Sequence, residues 1–209
     1  TTVTLIHATP NAEQLLAKIA RVSNPKNEDN PSFEGLLRYM IKHQHWSPFE
    51  MVSACVEIET TRDIGRQILR HRSFSFQEFS QRYADTNELS GPSIERECRL
   101  QDTTNRQSSL LCNDEDLAYW WVEAQRDLSY RAANIYKEAL RCGIAKEQAR
   151  AVLPEGLTPT RMYMHGTARS WMHYLKLRTG VETQKEHRDI AEQIKAALTP
   201  AFPTVMGLL

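Results

Sequence analysis

Residues 51–83 read MVSACVEIETTRDIGRQILRHRSFSFQEFSQRY. The stretch changes its apolar period along its length. Met51 to Ile58 is rich in small and β-branched residues and predicts a strand. Thr61 to Leu69 then places apolar residues at helical spacing. A polar run with regularly spaced aromatics follows. A strand passing into a helix, with no βαβ rhythm around it, predicts an α+β fold of mixed helices with an antiparallel or mixed sheet.

Reading outward supports that class. Val3 to Ala8 predicts a short strand, and Ala12 to Val22 a helix with Asn11 at its N-cap. Phe33 to Lys42 predicts another helix, and Pro48 breaks the segment after it. Asp85 to Pro92 (DTNELSGP) carries turn formers and no apolar period. Glu115 to Leu140 is the longest helical pattern. Ile144 to Val152 is a short helix stopped near Pro154, and Arg161 to Met164 a strand. Thr167 to Leu177 and Thr183 to Leu198 are amphipathic helices. With no repeats and no Gly/Ser-rich linker, 209 residues suggest one domain, 1–209, with a long central helix.

Composition narrows the function. Lys+Arg and Asp+Glu are 26 each, so the formal net charge is zero. That opposes binding to nucleic acid or an anionic membrane by bulk charge. No apolar run approaches the ~20 residues that span a bilayer. The first residues lack the basic and apolar regions of a signal peptide. Cys55, Cys98, Cys112 and Cys142 are scattered with no CxxC, which suits free thiols in a reducing cytoplasm. His43 and His45 form an HxH with Glu50 nearby, but no further ligand stands at a firm spacing, so no metal is expected.

The basic residues are 18 Arg and 8 Lys. Arginine is the forked donor that binds carboxylates and phosphates bidentately. There is no GxGxxG after a strand and no GxxxxGK[ST]. A bound nucleotide must therefore have its phosphates held largely by side chains. Arg62, Arg66 and Arg70 recur at i, i+4 and i+8, where each like-charge pair on a helix costs ~0.2–0.5 kcal/mol. They are expected not all to be solvent-exposed. Arg70 and Arg72 flank His71, which like charge should hold neutral. Ser80 and Arg82 stand two apart, so an extended chain would point both the same way as Glu78. Phe74, Phe76, Phe79 and Tyr83 interleave with these arginines, a pattern that also suits single-stranded nucleic acid.

RHRSFSFQEFSQRY resembles the signature of the flavin-dependent thymidylate synthases: RHR, seven residues, then Ser. Here these are Arg70, His71, Arg72 and Ser80, continued by Arg82 and Tyr83. The likeness covers nearly the whole chain. Ala20 to Ser23 is similar to an early family segment. His43 to Glu50 (HQHWSPFE), Ala149 to Pro154 (ARAVLP) and Ala168 to Arg178 (ARSWMHYLKLR) are similar to later ones, and Gln184 and Glu186 follow. The chain departs from the usual pattern at Gln77, Thr167 and His173, where many members carry Asn. It departs again at Glu182, where His is common.

The resemblance implies reductive methylation of dUMP to dTMP. Methylenetetrahydrofolate would donate the carbon, and NADPH would supply electrons through FAD. It implies a homotetramer with shared active sites. Carried over by motif, Ser47, Arg70, His71, Arg72, Glu78, Thr167, Arg169 and His173 would contact FAD. Gln67, Arg70, Glu78, Ser80, Arg82, Arg150 and Arg178 would contact dUMP, with Arg178 activating the uracil. His45 would lie near folate and flavin. The chemistry agrees. Methylating C5 of uracil needs electron density there, from a cysteine adding at C6 or from a cation stabilising an anionic ring. No Cys falls in a matched motif. A non-catalytic homologue would keep the RHR stretch and lose Arg178, which this chain retains.

Overall fold

The computed structural model describes residues 1–85 and 94–209; most of the turn-rich Asp85–Pro92 segment lies outside them. The chain divides into two compact units. One comprises Thr1, Glu59–Ile68 and Glu78–Met162; the other comprises Thr2–Ile58, Leu69–Gln77 and Tyr163–Leu209. The α+β class expected from sequence is the class observed.

In the second unit, β1 (Thr2–Ala8) is followed by α1 (Ala12–Ala20) and α2 (Glu34–Lys42). Asn11 does sit before α1, but in the left-handed region at φ 49°, and its side chain caps nothing. A 3-10 turn, Ser47–Glu50, leads into β2 (Ser53–Thr61). Here Val52, Ala54, Val56 and Ile58 are buried and alternate with half-exposed residues, the period-2 signature of a strand with one covered face. β2 continues to Thr61, past the end expected at Ile58, because Thr60 and Thr61 are buried although polar.

β3 (Ser75–Glu78) was not read from sequence. β6 (Pro159–Thr167) runs further at both ends than the expected Arg161–Met164. The four-stranded sheet has the order β1-β2-β6-β3. α6 (Ala168–Arg178) and α7 (Lys185–Leu198) follow, then α8 (Pro203–Met206). α7 packs on β1 and α6. Its buried face is His187, Ile190, Ala191, Ile194 and Leu198, the helical spacing read from sequence. Trp171 and Tyr174 of α6 are core residues, and Trp171 Nε1 donates to the Ala54 carbonyl at 3.3 Å.

The first unit carries α3 (Arg62–Ile68), the antiparallel pair β4 (Arg99–Gln101) and β5 (Ser109–Leu111), α4 (Glu115–Arg141) and α5 (Lys146–Ala149). α4 is capped by Asp114, whose side chain accepts from the Leu117 amide. Of its side chains only Gln125, Ala132 and Tyr136 are fully buried. Trp120 (60% exposed) and Trp121 (36% exposed) are surface residues. Among the described residues no helix is long and apolar enough to cross a membrane.

Candidate active site

The expected site residues fall on both units. In the second unit, α6 organises them. Thr167 is its N-cap: the Thr167 hydroxyl oxygen accepts from the Ser170 amide at 3.3 Å and donates to Glu50 Oε2 at 2.8 Å. Arg169 stands in the first turn, where the helix dipole disfavours a cation. Glu50 Oε1 accepts from Arg169 Nη1 at 2.9 Å and offsets that charge. One carboxylate of the SPFE turn thus orders two of the expected flavin contacts. Ser47 of the same turn is exposed, and the His173 ring packs edge-on to Trp46 at 5.0 Å.

At the other end of α6, where the dipole favours a cation, stands Arg178. Its Nε donates to His71 Nε2 at 2.9 Å. Ser170 Oγ donates to the Ser73 carbonyl at 3.1 Å, so the RHR loop is tied to α6 twice. Phe74 anchors the loop, its ring 4.6 Å from Trp171 and 5.8 Å from Tyr174. His71 is held neutral as expected. Its pKa is pushed down to about 4, first by burial and then by Arg178 and Arg70. Arg70 and Arg72 remain exposed, and neither has a carboxylate partner among the described residues.

The first unit holds Gln67, Glu78, Ser80, Arg82 and Arg150. Glu78 Oε1 accepts from Thr160 Oγ1 at 2.9 Å and lies 3.6 Å from Arg62 Nη1. Arg82 Nε is 3.8 Å from Glu147 Oε2, and Arg150 Nε donates to the Glu147 carbonyl at 3.3 Å. Ser80 and Arg82 are not in extended chain. The Ser80 carbonyl accepts from the amides of Tyr83 and Ala84, so a turn separates their directions. Arg70 is not on the helix of Arg62 and Arg66 either, because α3 ends at Ile68. The expectation that the three arginines are not all exposed holds: Arg62 is buried, Arg66 pairs with Glu155 at 3.2 Å, and Arg70 is open.

Sequence reading missed the partners that fix these groups. Glu50 carries no signal beyond the neighbouring HxH and the HQHWSPFE likeness. Thr160 stands one residue before the expected Arg161–Met164 strand and carries no signal of its own. His187 was detectable in principle, since it stands three residues before Ile190 and four before Ala191, on the buried face of α7. Among the described residues no three His, Cys, Asp or Glu converge as a metal site.

Residues 4–204 match the family described as thymidylate synthase complementing protein. A probable flavin-dependent thymidylate synthase of Paramecium bursaria Chlorella virus 1 is 46% identical over 206 residues, 98% of this chain and 94% of the relative. The chain belongs to the flavin-dependent thymidylate synthase family. The member from Synechocystis sp. is 49% identical over 197 residues, covering 94% of this chain and 89% of its own. Among solved structures, a UMP/dUMP methylase from Streptomyces cacaoi bound with 5-Br dUMP superposes with a TM-score of 0.85. It is 28% identical, covering 99% of this chain and 93% of its own. This is a family of enzymes, and its name implies a flavin.

Proposed function

We propose that the chain, acting as a single domain over 1–209, methylates dUMP to dTMP with FAD, taking the carbon from methylenetetrahydrofolate and electrons from NADPH. The observation that carries this reading is Arg178. It is a half-buried guanidinium at the end of α6, with Nε occupied by a neutral histidine and no carboxylate partner among the described residues. Such a group can face an anionic uracil and stabilise charge developing on the ring as C5 becomes nucleophilic. No thiolate is needed. Cys55 has its pKa raised by burial, Cys98 by burial and its neighbours, and Cys142 by Glu138.

The donor set suits FAD. Arg70 and Arg72, with no carboxylate partner among the described residues, offer their guanidiniums to its phosphates, with Ser47, His71, Glu78, Thr167, Arg169 and His173 as further contacts. Flavin supplies hydride chemistry when bound. Gln67, Arg70, Glu78, Ser80, Arg82 and Arg150 would bind and orient dUMP, and Arg178 would activate it. The reading includes a homotetramer with shared sites, and the exposed aromatics of α4 suit burial against another copy. The reading places the protein in the cytoplasm.

Tritium release from C5-labelled dUMP, with FAD, NADPH and methylenetetrahydrofolate supplied, tests this. Release requiring both the folate and reduced flavin is expected. No release from protein shown to bind FAD and dUMP would overturn it. The Streptomyces neighbour is a UMP/dUMP methylase, so labelled UMP belongs in the same assay.

A further inference from the structure

We propose that His71, backed by a Tyr174–His187 pair, is a positioning residue that aims the Arg178 guanidinium. The proposal rests on the reading of Arg178 given above and adds what holds it in place.

Arg178 Nε–H points at His71 Nε2, 2.9 Å away. Arginine has no acceptor, so Nε2 must carry a lone pair and the imidazole proton must sit on Nδ1. This tautomer follows from the hydrogen bond. A guanidinium is planar, so fixing its Nε–H direction restricts the plane and leaves both Nη groups for another partner. An unfixed arginine would have to order a flexible stem, losing rotamer entropy each time it met its substrate.

The histidine is itself fixed. Its ring meets the Tyr174 ring edge-on at 4.8 Å and 77°, and the His187 ring at 6.2 Å and 85°. Tyr174 stands one helical turn before Arg178 on α6, so the two side chains lie on one face. The Tyr174 hydroxyl and His187 Nε2 are 3.0 Å apart, and both residues are buried. Burial pushes the Tyr174 phenol up, so the hydroxyl keeps its proton, and the pair shares one hydrogen bond whose direction follows the His187 tautomer. His187 stays neutral. Its pKa is pushed down to about 3, by burial first and then by Arg178 and His71. The charged groups facing this cluster are Arg178 and Arg70. A packing role alone would not call for two polar side chains here, since an apolar pair of matching shape can be nearly neutral in stability.

The test compares wild type with His71→Leu, His71→Gln and Tyr174→Phe as FAD-loaded proteins, and adds a measurement that needs no turnover. His71→Leu should lower kcat for tritium release by about tenfold to a hundredfold, the scale of a misaimed group, and by a larger factor than it lowers the rate at which NADPH reduces the bound flavin. His71→Gln returns an acceptor to the Nε2 position and should recover part of the loss. Tyr174→Phe should fall in the same direction by less. Equal losses in His71→Leu and His71→Gln, with flavin reduction falling in step, would overturn the proposal and leave His71 a flavin contact. In parallel, nitrogen NMR of histidine-labelled wild type should show an Nδ1-protonated His71 titrating near pH 4, and Arg178→Met should raise that value. An Nε2-protonated ring, or titration near the ordinary ~6.5, overturns the proposal whatever the activity. Wild type without tritium release but with the expected tautomer would instead sink the functional reading and keep the geometry.

Discussion

A Cβ built on Gly166 would lie 2.4 Å from Phe74 Cδ1. The glycine is needed for space: β6 lets the Phe74 ring lie against its backbone, and Phe74 in turn seats the loop that carries Arg70, His71 and Arg72. Gly166→Ala should therefore shift the ring and destabilise the protein by about 1–3 kcal/mol, the usual cost of overpacking. Flavin retention should weaken more than the melting temperature falls. Unchanged flavin affinity in the folded variant would separate Phe74 from the cofactor loop.

Arg62 is buried beside Glu78, and its Nη1 lacks a hydrogen-bond partner. Burial draws its pKa down against the pull of Glu78, with Arg66 adding like charge. Removing one member of a buried pair typically costs ~3–5 kcal/mol. Arg62→Met should lie near the low end, about 3 kcal/mol, because Thr160 still donates to Glu78. Adding Glu78→Gln should recover most of the loss in a denaturant titration. A double variant less stable than Arg62→Met would refute the pairing.

Acid stability follows from the two depressed histidines. An unfolded histidine titrates near ~6.5, whereas folded His71 and His187 titrate at about 4 and about 3. Between those values the unfolded chain binds protons that the folded chain does not. The contribution is therefore complete above the unfolded value and lost as pH falls towards the folded ones. Melting temperature should drop from about pH 6.5 downward, and His187→Leu should flatten the slope between about pH 6.5 and 5, above the main carboxylate range. Identical slopes would mean His187 does not stay neutral.

Arg178→Ala should leave a folded flavoprotein that has lost most dUMP turnover. Arg178→Lys restores the charge without the fork or an Nε donor to His71, so rescue should be partial. Turnover equal to wild type in Arg178→Ala would remove this residue from the mechanism.

Much of this was legible in the residues. The small and β-branched residues of Met51–Ile58 and the helical periods of α6 and α7 are local signals, and the structure follows them. β3 was not legible, because SFQE holds one aromatic among three polar residues and none of the branched side chains that mark a strand. The turn at Ser80–Arg82 depends on the amides of Tyr83 and Ala84 reaching back to one carbonyl, which no side chain announces. At the site, residue types pointed to anion binding and to a neutral His71. The sharing of Glu50 by Thr167 and Arg169 spans more than a hundred positions, and a single sequence does not encode such a distance visibly.

Three of the four tryptophans divide into distinct optical populations, with Trp46 intermediate between them. Trp171 is sealed in the core, with its indole nitrogen bonded to the Ala54 carbonyl, while Trp120 and Trp121 stand on the open face of α4. Emission from a protomer therefore contains a blue component inaccessible to acrylamide and a red component that is readily quenched. If copies of the chain close over α4, dilution will redden the spectrum and deepen quenching while the blue component stays constant. Unfolding will move the blue component as well, so one cuvette distinguishes loss of assembly from loss of fold.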